Sequence, residues 1–229
     1  MSKIKTVALI PARAGSKGIK NKNIIKVNNI PLIEYTIKAA EKAKSVDEIF
    51  ISTNCNRISK LYSNRENIIK RPEKFSTDSS SSASVVNHFF RYTEDKFKKN
   101  LRIIFLQPTS PLRSSKHIDD CLNEMLKNGF RSAVSVTKNN FSPYKSFNLS
   151  SKNSLKSLFK ETHTNKRRQD LQKTFRSNGA IYIFDKKNFK KNSGFPSNGG
   201  FGYIMKEDES IDIDSILDIK KVEELLSKK

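Results

Sequence analysis

Cysteine and histidine are scarce in this 229-residue chain, and their placement excludes several chemistries. Cys55 and Cys121 stand far apart with no CxxC spacing, so neither a disulfide framework nor a zinc site is expected. His88, His117 and His163 are scattered, which leaves no histidine-based metal cluster. No run approaches the roughly 20 apolar residues of a membrane span. The first apolar run, Val7 to Ile10, stops at Pro11 and Arg13 and lacks the length of a signal peptide. A cytoplasmic protein without a membrane partner is the expectation. Internal repeats are also absent. Acidic residues are outnumbered, 23 against 44 Lys and Arg, for a formal charge of +21. Such a charge invites a nucleic-acid reading through counterion release. It is spread along the chain, though, and Lys, Asn, Ile and Ser are all abundant, as in a compositionally biased genome. RNP motifs, zinc-finger spacing and an evident helix-turn-helix are all missing.

What is present reads as an α/β protein. Apolar content is 35% and apolar clusters recur throughout, which excludes global disorder. Val7–Ile10, Glu48–Thr53, Ile68–Lys70, Leu101–Leu106, Ala133–Thr137 and Ala180–Phe184 are short apolar runs that predict buried strands, with a further strand near Tyr203–Met205. Helices are predicted over Leu32–Lys44, Asn56–Asn64, Val85–Phe97, the stretch capped by Ser114 or Ser115, and Ile216–Leu226. Ser215 and Asp218 form a capping-box pair for the last. Alternating strands and helices imply a parallel sheet with crossover helices. Residues 139–176 depart from this pattern. They are polar and basic, and predict an excursion from the sheet, either a surface loop or an arm that packs on another subunit.

Four sets of residues carry candidate chemistry. Arg13 to Asn23 follows the first strand, where ligands bind in open α/β sheets. Gly15 and Gly18 allow sharp turns and close approach, successive backbone N–H groups can form an anion nest, and Arg13 and Lys22 offer charge to phosphates. The loop matches neither the Walker pattern nor GxGxxG, and a basic surface turn is the plain alternative. Asp212 and Asp214 alternate along an extended segment, so both carboxylates share one side and suit a hard cation such as Mg²⁺. A solvated helix-capping turn is the alternative there. The third set, Arg71-Pro72, Asp78–Ser84 and Gln107–Arg113, follows further strands and can reach the same sheet edge. The fourth, Arg168, Arg176, Asn178 and Tyr182, offers arginines that grip carboxylates or simply decorate a charged surface.

Taken in order, these segments resemble the acylneuraminate cytidylyltransferases: ALIPARAGSKGIKNKNI, PLIEYTIKAA, ISTN, RPEKFSTD, LQPTSPLRSSKHI, FRSNGAIYIF and YIMKEDESIDIDSILDIKKVEELL. The resemblance runs from near residue 7 to near residue 226. ISTN departs from the commoner ending STD by carrying Asn54. The resemblance implies a single domain over residues 1–229 with a three-layer, Rossmann-like nucleotide-diphosphosugar-transferase fold, and a homodimer in which residues 139–176 form a dimerisation arm. It implies transfer of CMP from CTP to a nine-carbon keto sugar acid with release of pyrophosphate. Arg13, Gly15, Ser16 and Lys22 would hold the triphosphate, and Asn23, Arg71 and Ser82 the cytidine. Gln107 would orient the sugar, while Lys145, Arg168 and Arg176 are candidates for its carboxylate. Asn178, Tyr182 and Phe195 would shape the sugar pocket. Asp212 and Asp214 would hold Mg²⁺, and with Arg13 and Lys22 they form the expected catalytic set. The resemblance points first to an N-acylneuraminate cytidylyltransferase, with legionaminic acid, pseudaminic acid and KDO as the alternative sugars. A basic nucleic-acid-binding protein or nuclease is the remote alternative.

Overall fold

Val7–Ile10 is wholly buried because it forms the middle of a central strand with a helix layer on each side. The computed structural model describes residues 4–15, 18–77, 79–97, 101–192 and 194–228. In chain order the elements are β1 (Lys5–Pro11), the ribbon β2 (Lys26–Val27) and β3 (Ile30–Pro31), α1 (Leu32–Lys42), β4 (Glu48–Thr53), α2 (Asn56–Tyr62), β5 (Asn67–Lys70), α3 (Ser82–Tyr92), α4 (Glu94–Phe97), β6 (Leu101–Phe105), α5 (Ser115–Lys127) and β7 (Ala133–Lys138). Then come β8 (Phe147–Leu149), β9 (Leu155–Ser157), β10 (Phe175–Asp185), α6 (Lys186–Lys191), β11 (Phe201–Ile204) and α7 (Ile216–Leu226).

Seven strands form one sheet in the order β11-β7-β10-β6-β1-β4-β5. All neighbours pair in parallel except β10, which runs antiparallel to both β6 and β7. The chain builds outward from β1 through β4 to β5, then returns to place β6 on the other side of β1. The strand order therefore reverses between β1 and β6. Such a switch point opens a crevice beyond the carboxyl ends of the strands.

The two sheet faces bury different helices. Ile33 and Ile37 of α1, Ile58 of α2 and Ile118, Leu122 and Met125 of α5 cover one face. Val86, Phe89 and Phe90 of α3 and Phe189 of α6 cover the other. A third cluster, with Ile19, Val27, Leu32, Ile213, Ile219 and Val222, packs α7 against the loop that follows β1. This is the expected three-layer fold with a mostly parallel sheet.

Two elements differ from their sequence patterns. The predicted helix Val85–Phe97 starts earlier, at Ser82, because the Ser81 side chain accepts from Ser84 N–H. It breaks at Thr93, whose buried hydroxyl donates back to Phe89 O at 2.8 Å and competes with helix continuation. β10 begins at Phe175, five residues before the predicted strand, and its register with β7 shifts between Ser177 and Tyr182. Polar residues hid that leading half: Arg176 and Ser177 are exposed where β10 pairs with the end of β7. Between β7 and β10 the chain leaves the sheet, turns through the β8–β9 hairpin and makes short 3-10 turns without any buried residue in those elements.

Candidate active site

The loop after β1 is held from several directions. Ala12 N–H donates to Ser52 O at 2.9 Å, and Thr53 Oγ1 donates to Ala12 O at 2.5 Å. Asn54 Oδ1 accepts from Ala14 N–H at 2.8 Å, while its Nδ2 reaches the Glu73 carboxylate at 3.2 Å. An aspartate at 54 would keep the first bond but set a carboxylate against Glu73, so the departure from the family's commoner residue fits its neighbour. Gly15 has φ of +75°, the left-handed region. Ser16, like Asp78 of the third set, lies outside the described residues. Gly18 approaches the C-terminal segment so closely that a Cβ there would stand 2.8 Å from Asp214 O. Asn21, at φ 55°, turns the chain into a 3-10 turn, Lys22–Ile24. That turn aims Lys22 across the cleft, where Nζ donates to Ile213 O and Asp214 Oδ1, each at 2.8 Å. Asn23 is buried and donates to Arg13 O at 3.0 Å.

At the carboxyl ends of β1, β5 and β6 lies a cleft of about 500 Å³. Arg13, Lys22 and Asn23 line it from the first loop, and Arg71 and Ser82 from the segment after β5. Gln107 and Thr109 line it from the loop after β6, and Asp214 from the C-terminal segment. Arg71 is only 4% exposed. Its Nη2 donates to a neutral acceptor, Ser52 O, at 2.5 Å, and its Nε has no hydrogen-bond partner among the described residues. Burial, and secondarily repulsion from Arg13, push its guanidinium down to about 10. It stays charged at neutral pH, so the cleft presents a cation that an anionic ligand would stabilise.

Opposite these cations, Ile213 N–H donates to Thr109 O at 2.8 Å and the Ile213 side chain is buried. The alternation leaves the flanking Asp212 and Asp214 exposed, and Asp214 lines the cleft. Asp212 is open to solvent along one side, yet the protein packed around it raises its carboxyl above the ordinary range, with repulsion from Asp214 adding to this and the Thr109 and Lys22 side chains opposing it. Gly179, at φ +75°, passes so near that a Cβ there would lie 2.7 Å from Gln107 Oε1 and 3.8 Å from Asp212 Oδ2. Gln107, Gly179 and Asp212 thus meet at one corner. Among the described residues no three His, Cys, Asp or Glu side chains gather as a metal cluster.

The other predicted sugar residues do not line this cleft. Asn178 is buried below that corner. Its Oδ1 accepts from Ser135 Oγ at 2.6 Å and its Nδ2 donates to Ser210 Oγ at 2.9 Å. These bonds occupy both ends of the amide, so Asn178 bears on the cleft through the backbone it fixes. Tyr182 and Phe195 stack 4.9 Å apart in an aromatic cluster with Phe105 on the α3 face. Lys145 donates to Thr164 O at 3.0 Å within the segment between β7 and β10, and Arg168 lies on the same segment beside a separate cavity of about 380 Å³. Arg176 is exposed on β10. None of these three lines the main cleft of its own chain.

Residues 7–224 match the cytidylyltransferase family. The chain belongs to that family. This cytidylyltransferase is 31% identical to an N-acylneuraminate cytidylyltransferase of Escherichia coli O18:K1:H7, over 94% of the chain but 51% of that protein. It is 34% identical to post-translational flagellin modification protein B of Campylobacter coli, over 96% of the chain and 94% of that protein. The chain therefore spans about half the length of the former and nearly all of the latter. Its fold is similar to that of CMP:2-keto-3-deoxy-manno-octonic acid synthetase, solved with CTP, with a TM-score of 0.69, 15% identity and coverage of 98% and 99% of the two chains. Sequence reasoning named Thr109 only as part of the third set and gave Asn54 no role, and it missed Gly179 at the corner of the cleft. The only cue for Gly179 is a glycine inside a strand, which marks a bulge or close approach.

Proposed function

We propose that this cytidylyltransferase uses CTP to activate a sialic-acid-like sugar, releasing pyrophosphate and forming the CMP-sugar. The observation that carries this reading is one cleft at the strand ends lined by Arg13, Lys22, Arg71 and Asp214, with Asp212 two residues from Asp214 on the same segment. The cations suit a triphosphate, and Gln107 lines the same cleft. The anomeric hydroxyl of the sugar attacks the α-phosphorus of CTP. The bond to the β-phosphate oxygen breaks, and the hydroxyl proton leaves to solvent. Such transfers depend on positioning and charge stabilisation more than covalent help from the protein. Arg13 and Lys22 hold the phosphates, Arg71 with Asn23 and Ser82 holds the nucleoside side, and Gln107 orients the acceptor.

Asp212 and Asp214 fit a divalent ion. They repel each other, and one or two carboxylates plus substrate phosphates are the usual protein share of a Mg²⁺ site. When bound, Mg²⁺ would neutralise phosphate charge there.

A homodimer is part of the same proposal. Phe141 is 80% exposed, and Leu149 and Leu155 are 62% and 63% exposed on the β8–β9 hairpin. Large apolar side chains held in the open favour burial against another surface. A second copy would cover them and bring Lys145 and Arg168 toward its partner's cleft.

The deciding experiment is pyrophosphate release from CTP with N-acylneuraminic, legionaminic and pseudaminic acids and KDO, with and without Mg²⁺. Turnover of a nine-carbon acid is the expected result. Turnover of KDO alone would move the assignment to a shorter acid, and no release with any acid would remove the activity. The relative named for flagellin modification is the reason for keeping all three nine-carbon acids in the panel.

A further inference from the structure

Arg113 has no role in the chemistry above, yet it is among the most constrained charges in the chain. It is 2% exposed, and its hydrogen bonds go to neutral acceptors. Its Nη1 donates to Gln107 O at 3.1 Å and to Ala180 O at 2.9 Å, and its Nη2 donates to Thr36 Oγ1 at 2.5 Å. Nε is buried without a partner among the described residues. A buried guanidinium facing neutral acceptors carries a large desolvation cost, and a turn that needed only packing could use an apolar side chain of the same length. What arginine adds is a rigid planar fork that reaches three elements at once: the loop after β6, the β10 strand and α1.

Two of those acceptors border the reactive corner. Gln107 contributes the side chain at the cleft, and Ala180 follows Gly179, the residue over which Gln107 Oε1 passes. One nitrogen, Nη1, bonds the main chains on both sides of that close approach. The separation between Gln107 and Gly179 is thereby set from beneath the cleft.

We propose that Arg113 is a positioning residue that fixes the Gln107 main chain against β10 at Ala180 and acts on the reaction only through the placement of Gln107. This rests on the proposed transfer reaction for its kinetic readout. A displacement of about 1 Å at a reacting group costs on the order of a hundredfold in rate, so loss of the fork lowers kcat by up to that factor. The KM for CTP stays within about twofold, because the Arg113 hydrogen bonds go to Gln107, Ala180 and Thr36 and not to the nucleotide-side residues.

The test is a double-mutant cycle with Arg113→Met, Gln107→Ala and the combined variant, each corrected for folded fraction by thermal melting, with Arg113→Lys as the conservative variant. If Arg113 works through Gln107, the double variant is no slower than the slower single, and Arg113→Lys recovers part of kcat. Additive losses in the cycle, or a loss confined to melting temperature with kcat per folded molecule unchanged, would overturn the proposal. Hydrogen exchange gives a readout that stands if the wild-type protein turns over no sugar acid. Faster exchange confined to residues 106–113 and 178–181 in Arg113→Met supports the clamp, whereas unchanged or uniformly faster exchange refutes it. Should Arg113→Met fail to fold, Arg113→Lys and Thr36→Val carry the same comparison, with Thr36→Val expected to give a smaller loss of the same kind and no loss counting against the clamp.

Discussion

The Lys22 ammonium lies 2.8 Å from Asp214 Oδ1, although 192 positions separate the two residues in the chain. Lys22 is largely enclosed while 77% of the Asp214 side chain is exposed. The pair closes the cleft between its cationic and acidic walls. An ion pair with one exposed partner contributes about 1 kcal/mol or less to stability, so its effect on the fold is small. Asp214→Asn is expected to melt within a few degrees of wild type and to lose about a hundredfold or more in Mg²⁺-dependent turnover, the scale of losing a preorganised charge-stabilising group. Melting curves and a Mg²⁺ titration of turnover read both. Near-normal turnover would remove the metal from this position.

Gly179 sits in the left-handed region at φ +75°, where a side chain costs about 1–2 kcal/mol in backbone strain. A methyl group there would also strike Gln107 Oε1 at 2.7 Å. Gly179→Ala is therefore expected to lower stability by about that amount and to reduce kcat as severely as Gln107→Ala. Steady-state kinetics on both variants decide it, and an unaltered kcat in Gly179→Ala would show that Gln107 does not need its place.

Stability should also depend on pH through Glu66. Burial, and secondarily repulsion from Glu41, raise its carboxyl to about 7. An acid whose folded-state pKa lies above its unfolded value contributes fully below the unfolded pKa, and its contribution is lost as pH rises through the folded one. Glu66→Gln, which cannot ionise, is expected to melt higher than wild type at pH 8 and alike near pH 4. The gain is on the order of 1 kcal/mol once discounted for partial exposure. Equal melting temperatures at pH 8 would mean that Glu66 ionises without penalty.

The hairpin offers a test of assembly. Leu149 and Leu155 pair directly across β8 and β9 and are both open to solvent. Replacing both with Asp should leave the protomer folded and halve the molar mass measured by light scattering. A wild-type protein that is already monomeric would rule out the cross-subunit role of Lys145 and Arg168.

Much of the fold was legible because its signals are local. The predicted bounds of β4 and α7 coincide with the observed ones, since apolar runs and the Ser215–Asp218 capping box depend on residues a few positions apart. The leading half of β10 was not legible, because its polar residues owe their strand conformation to pairing with β7. At the cleft, Arg13, Lys22, Asn23, Arg71, Ser82, Gln107 and Asp214 converge as residues that each follow a strand end or the final segment. Asn178 did not surface there, because no local pattern tells an amide at a ligand from one enclosed by Ser135 and Ser210.

The amino-acid sequence by itself determined which segments are strands and helices and which loops carry charge. Those properties follow from side-chain period, caps and turns within a single stretch of chain. Only the tertiary structure decided that Lys22 meets Asp214, that Gly179 passes over Gln107, and that Arg113 bonds the main chains on both sides of that contact. Each of these joins residues from distant elements, and the reversal of strand order between β1 and β6 creates the crevice where they can meet.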